Sequence, residues 1–171
     1  MQVQKKLALA LIASALAIPA AFAADAPPAA APAAEAKNDY VKPNMKHEPF
    51  GKMNIVVALT SDDKGIQGMK LRNITNGLKA AEEWKGKMNV AVVLYAKGVS
   101  LLKNPDEQTQ SKLDELRKQG VRFLVCNNTL REQGVDFHNL YHVADADIVP
   151  SGFAEVAYLQ LKKHFVVDPV N

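Results

Sequence analysis

The chain has 171 residues, with 21 basic side chains, 18 acidic side chains and a single cysteine. This length suits one small domain with a single hydrophobic core. The formal net charge of +3 is not concentrated in the clusters of Lys and Arg that nucleic-acid binding needs, so we predict no nucleic-acid partner.

The N-terminal segment 1–23 is typical of a cleaved export signal. Two lysines precede an apolar run that is too short to span a bilayer, and small residues follow it, which predicts cleavage after Ala23 or Ala24. Loss of both lysines leaves 19 basic against 18 acidic side chains, a net charge of +1. We therefore expect a periplasmic protein with no membrane span after cleavage.

Residues 24–50 are predicted to connect the signal to the folded part as a tether and an irregular lead-in. The stretch DAPPAAAPAAEA has almost no large apolar side chain, so it cannot bury enough surface to offset the entropy cost of ordering. The folded domain is accordingly predicted at 51–171.

Short, β-branched apolar runs predict five strands in the folded part. Near-continuous apolar runs of this length fit strands that are covered on both faces. The predicted strands lie at 53–59, 89–95, 121–126, 147–149 and 165–167.

Helical patterns separate these strands. An apolar stripe from Leu71 to Trp84 predicts a helix that ends at Gly86, and Asn104 is the predicted N-cap of a second helix that ends at Gly120. The alternation of strands and helices predicts an α/β fold, with a parallel sheet between helices on both faces.

Two further helix starts lie near the end of the chain. Thr129-Leu-Arg-Glu132 has the form of a capping box and predicts a helical turn that begins at Thr129, and Ser151 is the predicted N-cap of a last helix. The last helix is apolar around much of its circumference. We therefore expect a homo-oligomer that buries the surplus apolar surface.

The chain's only cysteine, Cys126, is predicted at the edge of the sheet where ligands usually bind. The loops that leave the carboxyl ends of parallel strands gather on this edge, and Cys126 opens one of them. The N–H groups of a helical turn after it would favour a thiolate. The candidate binding residues in these loops are Lys97, Asn127, Asn128, Ser151 and Gly152.

A different interpretation of Cys126 is an inert side chain, because free cysteine is among the most buried residue types. Two features favour a functional thiol: the side chain falls at the end of a strand, and a lone thiol in an exported protein is open to oxidation.

His138 and His142 are four residues apart, a spacing that binds metal on a helix. No third ligand is evident beside them, so we predict surface or capping histidines and no metal site. The chain also lacks the glycine-rich motifs G-x-x-x-x-G-K-[ST] and G-x-G-x-x-G, and no cofactor is predicted.

Several segments resemble the small exported branch of the DsrE/DsrF-like family. They are VRFLVCNNTL, DIVPSGFAEVAYLQ, LRNITNGLKAA and YAKGVSLL, and the resemblance covers residues 54–169. It implies a three-layer αβα sandwich around a five-stranded, mainly parallel sheet, assembled as an oligomer. It also implies sulfur relay through a cysteine persulfide, a role that falls on Cys126 alone in this chain.

These observations together predict a periplasmic protein that carries sulfur on Cys126 and exchanges it with a donor or acceptor protein. Such a protein is a carrier and not a turnover enzyme. The alternative is a non-catalytic oligomeric module, structural or small-molecule-binding, in which Cys126 is buried and inert.

Overall fold

A computed structural model describes residues 43–49 and 51–168 of the chain. The predicted signal, and residues 24–42 and 50 of the predicted tether and lead-in, lie outside these residues. The strands are β1 (Gly51–Leu59), β2 (Gly86–Leu94), β3 (Arg122–Cys126), β4 (Ile148–Val149) and β5 (Val166–Val167). The α-helices are α1 (Lys64–Glu83), α2 (Glu107–Lys118), α3 (Asn127–Gln133) and α4 (Gly152–Lys163). Three 3₁₀ helices lie at Ala96–Leu102, Phe137–Asn139 and Asp145–Asp147.

The five strands form one sheet in the order β4-β3-β2-β1-β5, and every neighbouring pair is parallel. Strands β1 and β2 pair over their full length, from Gly51 with Gly86 to Leu59 with Leu94. The edge strands β4 and β5 have two residues each. The predicted α/β class and the predicted five-stranded sheet are confirmed.

Alternation along the strands divides the core between the two faces of the sheet. On β1, for example, Val57 belongs to the larger apolar cluster and Val56 to the smaller one. Helices α1, α2 and α3 contribute Leu and Ile side chains to the larger cluster, whereas α4 contributes Leu159 to the smaller cluster. Helices therefore lie on both sides of the sheet, which gives the expected three layers.

The predicted end of α1 and the predicted start of α2 are wrong, and in each case a neighbouring residue takes the expected role. Helix α1 ends at Glu83; the left-handed position after it is held by Lys85, with φ of 55°, and Gly86 already pairs in the sheet. Helix α2 is capped by Asp106, whose Oδ1 accepts the Thr109 N–H at 2.8 Å, and not by Asn104.

Among the described residues, no helix combines the length and the apolar character that crossing a membrane requires.

Candidate functional site at the carboxyl edge of the sheet

Cys126 is the last residue of β3 and the N-cap of α3. Strand β3 lies between β2 and β4, so the loops that follow those two strands flank the cysteine. Cys126 pairs with Val149 at the end of β4. The thiol forms no disulfide, and the residue is only 5% exposed. The thiol is therefore buried, a point on which the sequence left both interpretations open, because the neighbouring loops close over the end of the strand.

Helix α3 begins two residues earlier than the capping-box pattern predicts. The helix starts at Asn127, so Thr129 occupies its third position and faces the N-cap, Cys126. The Thr129 hydroxyl oxygen is used outside the helix, where it accepts the Ala96 N–H at 3.0 Å. The side chain of Thr129 is buried. Thr129 thus joins Cys126 to the loop after β2.

The surroundings of Cys126 lower the pKa of its thiol. Burial is the largest single influence and raises the pKa, but the Thr129 hydroxyl and the N–H groups of Gly152, Thr129 and Asn128 together outweigh it by favouring the thiolate. No direct capping hydrogen bond joins the Cys126 side chain to α3, so this effect is shared among several polar groups around the sulfur. The groups that lower the pKa most are dipoles and not a neighbouring charge.

The N–H of Gly152 contributes to the lowered pKa of Cys126, and Tyr95 packs directly against this glycine. A Cβ atom at position 152 would lie 2.8 Å from the Tyr95 Cβ, closer than real Cβ atoms approach. Gly152 is also buried and is the first residue of α4. Glycine is therefore the only residue that fits here without moving Tyr95 or α4.

Ala96, in the loop after β2, is held in an unusual backbone conformation. Its φ of 48° lies in the left-handed region that alanine seldom adopts. Helix α3 holds this residue from both sides, because the Ala96 N–H donates to Thr129 and its carbonyl accepts Gln133 Nε2 at 2.8 Å. A strained backbone fixed in this way is common at functional sites.

Gly98 sets how closely this loop approaches the sheet. A Cβ at position 98 would overlap the carbonyl oxygen of Leu59, the last residue of β1. The Tyr95 N–H donates to the same oxygen at 3.2 Å. The loop is therefore held tightly against the end of β1, which fixes Tyr95 and Ala96 beside Cys126.

The structure brings only some of the predicted binding residues to the sulfur. Gly152 and Asn128 meet it through backbone N–H groups. Asn127 follows Cys126 directly and is exposed. Lys97 is turned to solvent with 73% of its side chain exposed, and its Nζ lies 3.5 Å from Asp62 Oδ2.

Ser151, another predicted binding residue, caps α4. Its Oγ accepts the Ala154 N–H at 3.4 Å.

The sequence prediction did not include Thr129 or Tyr95 among the site residues. Thr129 had a detectable signal, because a hydroxyl three residues after a helix N-cap faces that cap. The packing of Tyr95 on Gly152 joins residues from distant parts of the chain and leaves no local pattern.

His138 and His142 lie away from Cys126 on the surface around a 3₁₀ helix. Each faces an aspartate: His138 Nδ1 is 2.7 Å from Asp136 Oδ1, and His142 Nδ1 is 3.7 Å from Asp114 Oδ1. Within residues 43–49 and 51–168, no group of three or more His, Cys, Asp or Glu side chains is arranged to hold a metal ion.

Comparison with known proteins identifies the family to which this site belongs. Residues 53–169 match the model of the DsrE/DsrF-like family. A solved structure of a protein of unknown function from Methanobacterium thermoautotrophicum is 28% identical, with a TM-score of 0.59, over 68% of this chain and 97% of that protein. A conserved protein of unknown function from Bacteroides thetaiotaomicron is 20% identical, with a TM-score of 0.46, over 67% and 91% of the two chains. No curated protein shows significant similarity to the chain.

Proposed function

Because the chain belongs to the DsrE/DsrF-like family, we propose that it carries sulfur as a persulfide on Cys126 and passes it to a partner protein. The observation that carries this proposal is the position of Cys126 at the end of β3 and the N-cap of α3, where polar groups of α3 and α4 lower the pKa of the thiol. The thiolate is the nucleophilic form of cysteine, so such donors favour attack on sulfur.

Sulfur transfer to Cys126 needs no added oxidant. The Cys126 thiolate attacks the outer sulfur of a donor R–S–SH, a new S–S bond forms, and the bond between the two donor sulfurs breaks. The donor leaves as R–S⁻ with the electron pair of the broken bond, and Cys126 becomes Cys–S–SH. The chain has one cysteine, so no second thiol within it can release this sulfur by forming a disulfide. The cargo therefore passes to another molecule.

The burial of Cys126 restricts the donors that reach it. With 5% of the residue exposed, we expect small, linear sulfur species to reach the sulfur in the isolated protein more readily than bulky disulfides, and transfer to a partner protein to need movement of the loops around it. The same burial protects the thiol from the stepwise oxidation that threatens a bare cysteine in an oxidising compartment.

The test is to incubate the reduced protein with inorganic polysulfide and to determine its intact mass. Wild type is expected to gain the mass of sulfur, and a reductant should remove it. Cys126→Ser is the matched control and should gain nothing. A wild-type protein that takes up no sulfur, and whose Cys126 also resists a small alkylating reagent in the folded state, contradicts the proposal.

We further propose that the protein acts in the periplasm. The support is the export signal predicted at 1–23, with its positive start, short apolar run and small residues at the cleavage site. Protein recovered from a bacterial periplasm should begin at Ala24 or Asp25. Recovery of the intact N-terminus in a membrane fraction would contradict this location.

We also propose that a second copy of the chain covers the outer side of α4. Large apolar side chains are exposed there, with Phe153 at 76% and Leu161 at 75%. Glu155 lies in the first turn of α4 and Lys162 in the last turn, so two copies packed antiparallel would pair opposite charges. Light scattering at micromolar concentration should detect a dimer or larger assembly, and Leu161→Glu should weaken it.

The second candidate function is a non-catalytic binding or structural module, and the burial of Cys126 favours it. An apolar cleft of about 230 Å³ lies between α1 and the β1, β2 and β5 strands, away from the cysteine, and includes Ile74, Met88 and Val90. If the protein binds small apolar molecules in this cleft, Cys126→Ser should leave their binding unchanged. The polysulfide experiment separates the two functions, because only a carrier loses its activity in that variant.

A further inference from the structure

We propose that Met45, His47 and Trp84 form a binding site for a soft monovalent cation, of the chemical class of Cu(I) and Ag(I). The three side chains line one surface depression of about 330 Å³. Trp84 stands between the end of α1 and the start of β2, at the edge where the parallel strands begin. Cys126 ends β3 at the opposite edge, so the cation site is separate from the proposed sulfur carrier.

The lead-in brings two metal-binding side chains to the C-terminal end of α1. Its described residues, 43–49, have no regular secondary structure. The ring of His47 contacts the indole of Trp84, with centroids 4.2 Å apart and planes inclined by 43°. Met45, two residues earlier, lines the same depression. An ion held by the Met45 sulfur and a His47 nitrogen would therefore lie beside the indole.

Packing alone does not account for the position of Met45. Buried methionines fill gaps in apolar cores, but Met45 is 74% exposed and covers little apolar surface. His47 is exposed as well. The depression therefore presents a thioether and an imidazole to solvent, where an ion can reach both.

These groups suit a soft cation. Thioether sulfur is a soft ligand that selects Cu(I), and imidazole also binds copper. The face of a tryptophan ring attracts cations more strongly than the rings of tyrosine or phenylalanine do. Cu(I) and Ag(I) are satisfied by few ligands, so a thioether, an imidazole and an indole face are enough to hold one ion.

The charges around the depression favour a monovalent ion over a divalent one. Lys46 and Lys85 line it together with a single carboxylate, that of Glu83. The resulting positive balance repels a divalent cation more strongly than a monovalent one. Hard divalent ions also need several oxygen ligands, and among the described residues no cluster of His, Cys, Asp or Glu is arranged to hold a metal.

The experiment follows the fluorescence of Trp84 while the full chain is titrated with Ag(I), which is stable to oxidation, in a chloride-free buffer. Trp84 is the only tryptophan, so the emission reports this site alone. Cys126→Ser is the background because a thiol is a competing soft ligand, and wild type is titrated in parallel. Both proteins should show a quench that saturates as one ion binds beside the indole.

Two substitutions in the Cys126→Ser background test the ligands. Met45→Leu keeps the size of the side chain and removes the sulfur, whereas His47→Phe keeps a ring against Trp84 and removes the nitrogens. Loss of an outer partner of a metal ligand typically costs about 10–100-fold in affinity, so loss of a ligand itself should weaken Ag(I) binding by at least about tenfold. Both positions are exposed, so the variants should fold normally.

The matched controls are Met69→Leu, in α1 outside the depression, and His138→Phe. The ring of His138 also contacts an aromatic side chain, that of Phe137, with centroids 4.0 Å apart. Neither control should change the titration of Trp84 with Ag(I). A titration of the same background with Zn(II) should leave the emission of Trp84 unchanged.

Three outcomes overturn the cation site: no quench with Ag(I), a quench that Met45→Leu or His47→Phe leaves unchanged, or an equal response to Zn(II). None of them bears on sulfur transfer, which is measured by the mass that Cys126 gains from polysulfide.

Discussion

In the part of the chain that the structure describes, Lys70 and Cys126 are buried ionisable side chains that the fold accommodates in different ways, and they lie on opposite sides of the β1–β2 pair. The Nζ of Lys70, in α1, lies 2.7 Å from the Oδ2 of Asp168, the residue that follows β5. The two side chains are only 4% and 19% exposed. Cys126, after β3, is buried as deeply but faces N–H and hydroxyl dipoles in place of a counter-ion. The Lys70 ammonium has a partner carboxylate, whereas a thiolate at Cys126 would be stabilised by dipoles.

The difference matters because the two arrangements suit different roles. An ion pair such as Lys70–Asp168 holds two elements together, whereas polar groups around a thiolate stabilise it without occupying it in a pair. The Asp168 N–H also donates to the Val56 carbonyl at 2.8 Å, so the ion pair ties the short strand β5 to both α1 and β1. If Cys126 carries sulfur as proposed, no second charge has to be displaced when its thiolate attacks or leaves. The ion pair therefore contributes to stability, and the thiol site remains available for chemistry.

The largest effect is expected from breaking the ion pair. Asp168→Ala leaves the Lys70 ammonium buried without its carboxylate, which should cost about 3 kcal/mol of unfolding free energy in urea denaturation. Asp62→Ala is the control. It removes a carboxylate whose pair with Lys97 is exposed on both sides, and it should change stability by no more than about 1 kcal/mol.

A double substitution sharpens this prediction. Lys70→Met combined with Asp168→Leu removes both charges, so it should recover much of the stability that Asp168→Ala loses. Equal costs for Asp168→Ala and Asp62→Ala would contradict the structural role of the buried pair.

A smaller effect is expected at the thiol site from Gly152→Ala. The new Cβ meets Tyr95 at 2.8 Å, and relieving this overlap should cost about 1–3 kcal/mol. The shift should also draw the Gly152 N–H away from the sulfur, so the pKa of Cys126 should rise towards its ordinary value.

The matched control for this substitution is Gly68→Ala in the interior of α1. A Cβ at position 68 meets nothing within 4 Å, so the variant should be as stable as wild type or more stable by about 0.5–1 kcal/mol. A Gly152→Ala variant with normal stability and a normal thiol titration would show that the contact with Tyr95 does not position the N–H.

The fold could be predicted because its strands carry their signal locally, whereas much of the site could not. The apolar runs at β1, β2 and β3 are continuous in the sequence, and they predict a parallel sheet covered on both faces. The bond between Ala96 and Thr129 spans 33 residues, and the pair of Lys70 with Asp168 spans 98. Contacts at such separations leave no periodic pattern.

The same reason explains the burial of Cys126. Its position at the end of a strand was predicted, but its cover comes from the loop that holds Tyr95 and from Gly152 of α4. The pattern Thr129-Leu-Arg-Glu132 indicated a helix start correctly to within two residues. It gave the wrong role to the hydroxyl because a tertiary partner, Ala96, competes with the local cap.

The smallest expected effect separates the two buried groups by their dependence on pH. The pKa of Cys126 is lower in the folded protein than the ordinary value of 9.0, so between these two values the unfolded chain binds more protons. The free energy of unfolding of wild type should therefore rise with pH through this window, by at most about 1.4 kcal/mol per pH unit for one proton. The contribution is complete above the unfolded pKa and is lost as the pH falls through the folded pKa.

Cys126→Ala should remove this rise of stability with pH, while Asp168→Ala should lower stability and keep the rise. Urea denaturation of the three proteins at several pH values measures the difference, and parallel curves for wild type and Cys126→Ala would show that the fold does not favour the thiolate.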